Sequence, residues 1–203
     1  MSVQAIIDGY ARDACRIIPR FAAISTCDVL RPVAGILPAH PSRVLAVGVG
    51  TGHEAGWLAS CGHEVVAVEP VDELRHAGIS IHGSRNIVWV NDRLPTLAKV
   101  ARRREKYDLI LLIAVWQHIH PESRLAAVRN LSALLASGGQ LVMSVRDGPG
   151  APSRHSFVSA PRSVIDLGHK AGLKLLVHRS APSVQMKNKA AGVSWNWLSL
   201  GCP

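Results

Sequence analysis

Acidic residues are scarce in this chain and unevenly spread. Against 23 Lys and Arg, its 203 residues include only 14 Asp and Glu, a formal net charge of +9. Beyond position 150 a single acid, Asp166, faces seven basic residues, whereas residues 51–100 hold six acids and four bases. The later surface therefore favours anionic partners, and the acids of the middle segment need a local purpose. Paired cysteines are absent: Cys15, Cys27, Cys61 and Cys202 show no CxxC spacing and no companion histidines. That pattern excludes a zinc finger or a dithiol redox centre and predicts no metal site. Scattered thiols fit a reducing cytoplasm. Long apolar runs are missing too. The longest, 109–116, is strand length, far below the roughly 18 residues of a membrane span, and Asp8 and Asp13 interrupt any leader-like stretch. A soluble, cytoplasmic protein without a membrane partner is expected.

With 48% hydrophobic and 18% charged residues, the length suits one domain with a buried core: residues 1–42 as a helix and connector or lid, and 43–203 as the regular core. Apolar residues at Val3, Ile6, Ile7, Tyr10, Ala11, Ala14, Ile17 and Ile18 predict a leading amphipathic helix that ends before Pro19. Strands at 44–49, 64–68, 87–90, 107–114 and 140–145 then alternate with helices at 53–60, 71–81, 94–106 and 121–135, the last stopped by Gly138 and Gly139. A helix at 163–170 and strands at 173–179 and 193–200 follow. The alternation predicts an α/β fold: a seven-stranded, mostly parallel sheet with helices on both faces, its last two strands antiparallel at one edge.

The first strand leads into Gly48-Val49-Gly50-Thr51-Gly52 and a helix, the place where an open α/β sheet binds its ligand. A dinucleotide fingerprint needs a glycine three residues after Gly50, and His53 stands there instead. Glu69 ends the second strand, where a carboxylate can accept from both ribose hydroxyls of an adenosine-containing cofactor. Asp92 follows the third strand, placed either to accept from an adenine amino group, with Arg93 and Leu94 bracketing the ring, or to cap the next helix.

Residues 43–145 resemble the class I, Rossmann-like S-adenosylmethionine-dependent methyltransferases. The segment VLAVGVGTGHEAGWLASCGHEVVAVEP is similar to their first two motifs, and 107–112 with 115–119 to their fourth strand and the segment after it. More loosely, the whole chain resembles small bacterial members of unassigned substrate. The resemblance implies S-adenosyl-L-methionine as cofactor, with Gly48, Val49, Gly50 and Gly52 under its methionine part, Glu69 and Pro70 at the ribose, and Asp92, Arg93 and Leu94 at the adenine. It also places the backbone of Val115 and Trp116 on the cofactor's other side and Tyr10 near the methionine end. One departure stands out: Ala46 occupies a position where the family usually has an acid, a role open to Glu54 or the N-terminal helix.

Methyl transfer chiefly needs an aligned acceptor and exclusion of water. His118 is a candidate general base, or a partner for the turn before Pro121. Trp116 is either packing or a wall for an aromatic acceptor. Arg146, after the fifth strand, suits an acceptor carboxylate or phosphate, or pairs with Asp147. His155 is a further candidate, and Arg12, Arg16 and Arg20 form either a steering stripe or a solvated face. The expected function is methyl transfer to nitrogen or oxygen of a small anionic or aromatic molecule. Alternatives are an RNA methyltransferase or nucleic-acid-binding protein using Arg102–104 and the late lysines, and a cofactor-binding scaffold without turnover.

Overall fold

The structure, a computed structural model, describes residues 3–83, 86–150 and 156–202; His155 lies outside them. Seven strands, β1 (Arg43–Val47), β2 (Glu64–Val68), β3 (Ile87–Val90), β4 (Tyr107–Leu112), β5 (Leu135–Asp147), β6 (Lys174–Pro182) and β7 (Ser194–Gly201), form one sheet in the order β3-β2-β1-β4-β5-β7-β6. The pairs among β1 to β5 are parallel, whereas β7 runs antiparallel to both β5 and β6. The expected antiparallel edge is present, and β7 enters it between β5 and the edge strand β6. The central strands are apolar on both faces because helices cover both.

One face packs Leu45, Ile110, Leu112, Met143 and Leu198 against residues of α5 (Ala98–Arg102), α6 (Arg124–Leu134) and α7 (Pro161–Lys170). On the other face Val44, Ala46, Leu109, Leu111 and Trp197 meet α2 (Thr26–Leu30), the 3-10 turn Arg31–Ile36 and α3 (His53–Ser60). A third cluster joins α1 (Val3–Ala22) to the start of α4 (Asp72–His82) through Ala14, Ile17, Val71 and Leu74. A short α8 (Met186–Ala190) precedes β7.

Three boundaries differ from the sequence pattern. Helix α1 continues through Pro19 to Ala22, because its buried stripe and Phe21, packed against the same cluster, outweigh one missing backbone hydrogen bond. The helix predicted over 94–106 shrinks to Ala98–Arg102; the Asp92 carboxylate takes the Lys99 and Val100 amides at 2.7 and 3.0 Å, fixing a start there. Finally, α6 ends at Leu134, before the glycine pair, and β5 already begins at Leu135. Gly139 lies inside that strand, where a Cβ would sit 2.7 Å from the Tyr107 carbonyl oxygen.

Candidate active site

A cavity of about 400 Å³ opens at the carboxyl ends of the parallel strands, under α1 and α2. The β1–α3 loop forms its floor. Gly48 has φ +69°, and a Cβ on it would lie 2.5 Å from Val115 Cγ2, so only glycine lets the β4 end pass so close. Ala114, at φ 55°, makes the turn that sets Val115 there; its amide donates to Ser144 Oγ at 2.9 Å and its carbonyl accepts from Gln117 Nε2. Gly50 faces Phe21 of α1, at 3.0 Å from a built Cβ. Gly52 does not line the cavity; a Cβ there would strike Trp89 at 2.4 Å, so its glycine serves packing between α3 and β3.

Glu69 is 5% exposed. Its Oε2 accepts from the Gly50 amide at 2.7 Å and its Oε1 from the Val71 amide at 2.9 Å, so one carboxylate ties the glycine loop to the end of β2. Burial pushes its carboxyl up to about 7, against the pull of those two amides and of Arg75. A carboxyl raised in this way holds more protons folded than unfolded. Its contribution to stability is therefore present below its ordinary value near 4.5 and is lost as pH rises through about 7. A ligand whose hydroxyls need the ionised form binds in the opposite sense. Cofactor affinity is expected to fall roughly tenfold per pH unit below about 7 and to level off above it, with proton release on binding near neutrality. Calorimetry in buffers of different ionisation heat checks this, and a flat affinity from pH 5.5 to 8 contradicts it.

Pro70, Asp92, Arg93 and Leu94 line the same cavity, as do Val49, Val115, Tyr10 and His118. Asp92 works first as a cap: besides Lys99 and Val100 it accepts from the Arg93 amide at 2.8 Å through Oδ1. Tyr10 on α1 meets His118, phenol oxygen to Nε2, at 3.0 Å, which ties the covering helix to the segment after β4. Trp116 and Arg146 do not line the cavity. The Trp116 indole is fully buried in the core cluster with α6 and α7 and donates to Ser159 Oγ, so its side chain is packing and not an acceptor wall. The Arg146 guanidinium sits over the Trp195 ring at 5.4 Å and donates to the Pro149 carbonyl and to Asn188 Oδ1. No pairing with Asp147 forms. Arg12, Arg16 and Arg20 are exposed, outside the cavity, and Arg16 pairs with Asp13.

Other lining residues were not singled out in the sequence as site residues: Phe21, Ile113, Ser144, Trp195 and Trp197. The one signal available was the alternation Trp195-Asn196-Trp197, which puts both indoles on one face of β7. Among the described residues no group of His, Cys, Asp or Glu is arranged to hold a metal, and no helix is long and apolar enough to cross a membrane.

A strand-end glycine loop braced by the acid of the next strand, on this strand order, defines a Rossmann-like methyltransferase. The methyltransferase domain family matches residues 10–178, and the chain belongs to it. It is 30% identical over 145 residues to a protein-L-isoaspartate O-methyltransferase of Xanthomonas euvesicatoria pv. vesicatoria, covering 66% of this chain and 54% of that one. The chain thus spans about half the length of that relative. In fold it is similar to Burkholderia thailandensis 1,6-didemethyltoxoflavin-N1-methyltransferase, solved with 1,6-didemethyltoxoflavin and S-adenosylhomocysteine, with a TM-score of 0.74 and 18% identity over 97% of this chain and 87% of that one. The N-methyltransferase NodS of Bradyrhizobium japonicum WM9, in complex with S-adenosylhomocysteine, gives a TM-score of 0.65 and 17% identity over 92% and 88%.

S-adenosylmethionine is the cofactor of the family, and the residues present fit it. A Cβ would fill the cradle at Gly48, and Glu69 is a buried acceptor among the lining residues.

Proposed function

We propose that this chain transfers a methyl group from S-adenosylmethionine to a nitrogen or oxygen of a small, flat, aromatic or anionic molecule. The observation that carries this reading is the continuity of one cavity, from Glu69 and the glycine loop to an aromatic wall of Trp195 and Trp197 under Val29 and Pro32. When bound, the cofactor supplies an electrophilic methyl group on a sulfonium.

The chain's own residues do the rest. Gly48, Val49, Gly50 and Val115 bear on the methionine part; Glu69 and Pro70 hold the ribose, and Asp92, Arg93 and Leu94 the adenine. Ile113, Trp195 and Trp197 present apolar surface on which a planar acceptor excludes water. His118 Nε2, within hydrogen-bond distance of the Tyr10 phenol, is the atom that takes a proton from a hydroxyl or ammonium acceptor, directly or through that phenol. Arg146 stacks on the Trp195 indole and fixes that part of the acceptor's wall. The relatives include both O- and N-methylating enzymes, in keeping with either acceptor atom.

Calorimetry with S-adenosylmethionine, followed by mass spectrometry of aromatic acids and amines incubated with both, tests the reading. Saturable cofactor binding and an acceptor gaining one methyl group are expected; no binding at high micromolar cofactor overturns it, and binding without any methylated product favours a scaffold. For the Arg146→Ala variant, acceptor KM is expected to rise roughly tenfold while cofactor Kd stays within about twofold. Equal losses in both would remove Arg146 from the acceptor side.

A further inference from the structure

Four carboxylates line the cavity: Asp28, Glu54, Glu69 and Asp92. Three of them are engaged by the protein itself. Asp28 pairs with Arg31, Glu69 takes the Gly50 and Val71 amides, and Asp92 takes those of Arg93, Lys99 and Val100. Glu54 has no such partner. It stands in the first turn of α3, half-buried, and among the described residues no Lys, Arg or His forms an ion pair with it. Burial raises its pKa, opposed by its own backbone amide. An acid held in a mostly apolar cavity without a counter-ion is unfavourable until a cation arrives.

A second unsatisfied group lies three residues away. Thr51, another lining residue, is 1% exposed, and its hydroxyl is buried with no hydrogen-bond partner. The β1 residues that line the cavity, Ala46 and Val47, carry only apolar side chains, so nothing on β1 competes for a positive charge. We infer that Glu54 receives the α-ammonium group of the cofactor's amino-acid end. The inference rests on the cofactor reading above and deepens it: the charge that orients the amino acid comes from helix α3 and not from the end of β1.

The test compares three ligands by calorimetry on the full chain: S-adenosylhomocysteine, its deaminated analogue and 5′-methylthioadenosine, which lacks the amino-acid end. The wild-type chain is expected to prefer S-adenosylhomocysteine to the deaminated analogue by roughly tenfold or more. In Glu54→Gln, S-adenosylhomocysteine affinity should drop roughly ten- to hundredfold, while the deaminated analogue binds as well as before or better and methylthioadenosine is unchanged. Undiminished binding of S-adenosylhomocysteine by the variant, or an equal loss for all three ligands, overturns the assignment of Glu54 alone. Failure of the wild-type chain to bind any of the three overturns the cofactor reading itself.

Discussion

Replacing Glu69 by alanine is expected to weaken S-adenosylmethionine binding by roughly 10²- to 10⁴-fold, from the loss of two hydrogen bonds to a charged acceptor at about 1.5–3 kcal/mol each. Further loss comes from the loop. Glu69 holds the Gly50 amide at 2.7 Å and the Val71 amide at 2.9 Å, so without it the floor under the methionine part is no longer fixed to β2. The fold should tolerate the change. Two amides lose their acceptor at about 1–3 kcal/mol each, but a carboxyl whose pKa burial raises to about 7 is also removed, and these effects oppose one another near neutral pH. Glu69→Gln keeps one acceptor and should fall between the two, with its affinity no longer varying across pH 5.5 to 8. Calorimetry beside a thermal melt separates the cases, and unchanged affinity in Glu69→Ala would mean that the ribose lies elsewhere.

The largest effect on stability is expected at Trp116. Its indole is 0% exposed, donates to Ser159 Oγ at 3.0 Å and lies 5.5 Å from the Arg124 guanidinium. Arg124 in turn donates to the carbonyls of Ile119, Phe157 and Val158, and the Phe157 amide donates to the Gln117 carbonyl at 2.7 Å. One side chain thus anchors the post-β4 segment to the strip before α7. Trp116→Ala should cost about 3–5 kcal/mol, a melting temperature lower by roughly 6–20 °C for a chain of this length. Trp116→Phe, which keeps most of the packing and loses the hydrogen bond, should cost about 1–2 kcal/mol. Since the indole faces away from the cavity, cofactor affinity at 20 °C should change far less than in Glu69→Ala. A melting temperature within about 3 °C of the wild type in Trp116→Ala would refute this account.

Both cases show how far residue patterns reach. The glycine loop and Glu69 were legible because a strand-to-helix turn is local: a few consecutive residues fix both conformation and position at the strand end. Gly52 belongs to the same spacing, yet its glycine answers to Trp89, a side chain 37 positions later that reaches the loop across β2. Trp116 follows β4, and Arg146 stands next to the last residue of β5, both placed as a ligand-contacting residue would be, yet neither lines the cavity. The indole is buried in the core with α6 and α7, and the guanidinium stacks on Trp195. Trp195 and Trp197 were not identifiable as cavity walls because β7 comes last in sequence and reaches the site only by inserting beside β5.

The sequence by itself determined the alternation of strands and helices, the strand-end acids and the glycine turn, since all depend on side-chain period and backbone sterics over short spans. The tertiary structure alone decided which of those residues share a cavity, that α1 runs past Pro19 to lay Phe21 on Gly50, and that Glu54 is the lining acid without a partner. These outcomes depend on contacts between elements distant in sequence, where burial and the competition for hydrogen bonds set the result rather than the local preference of any residue.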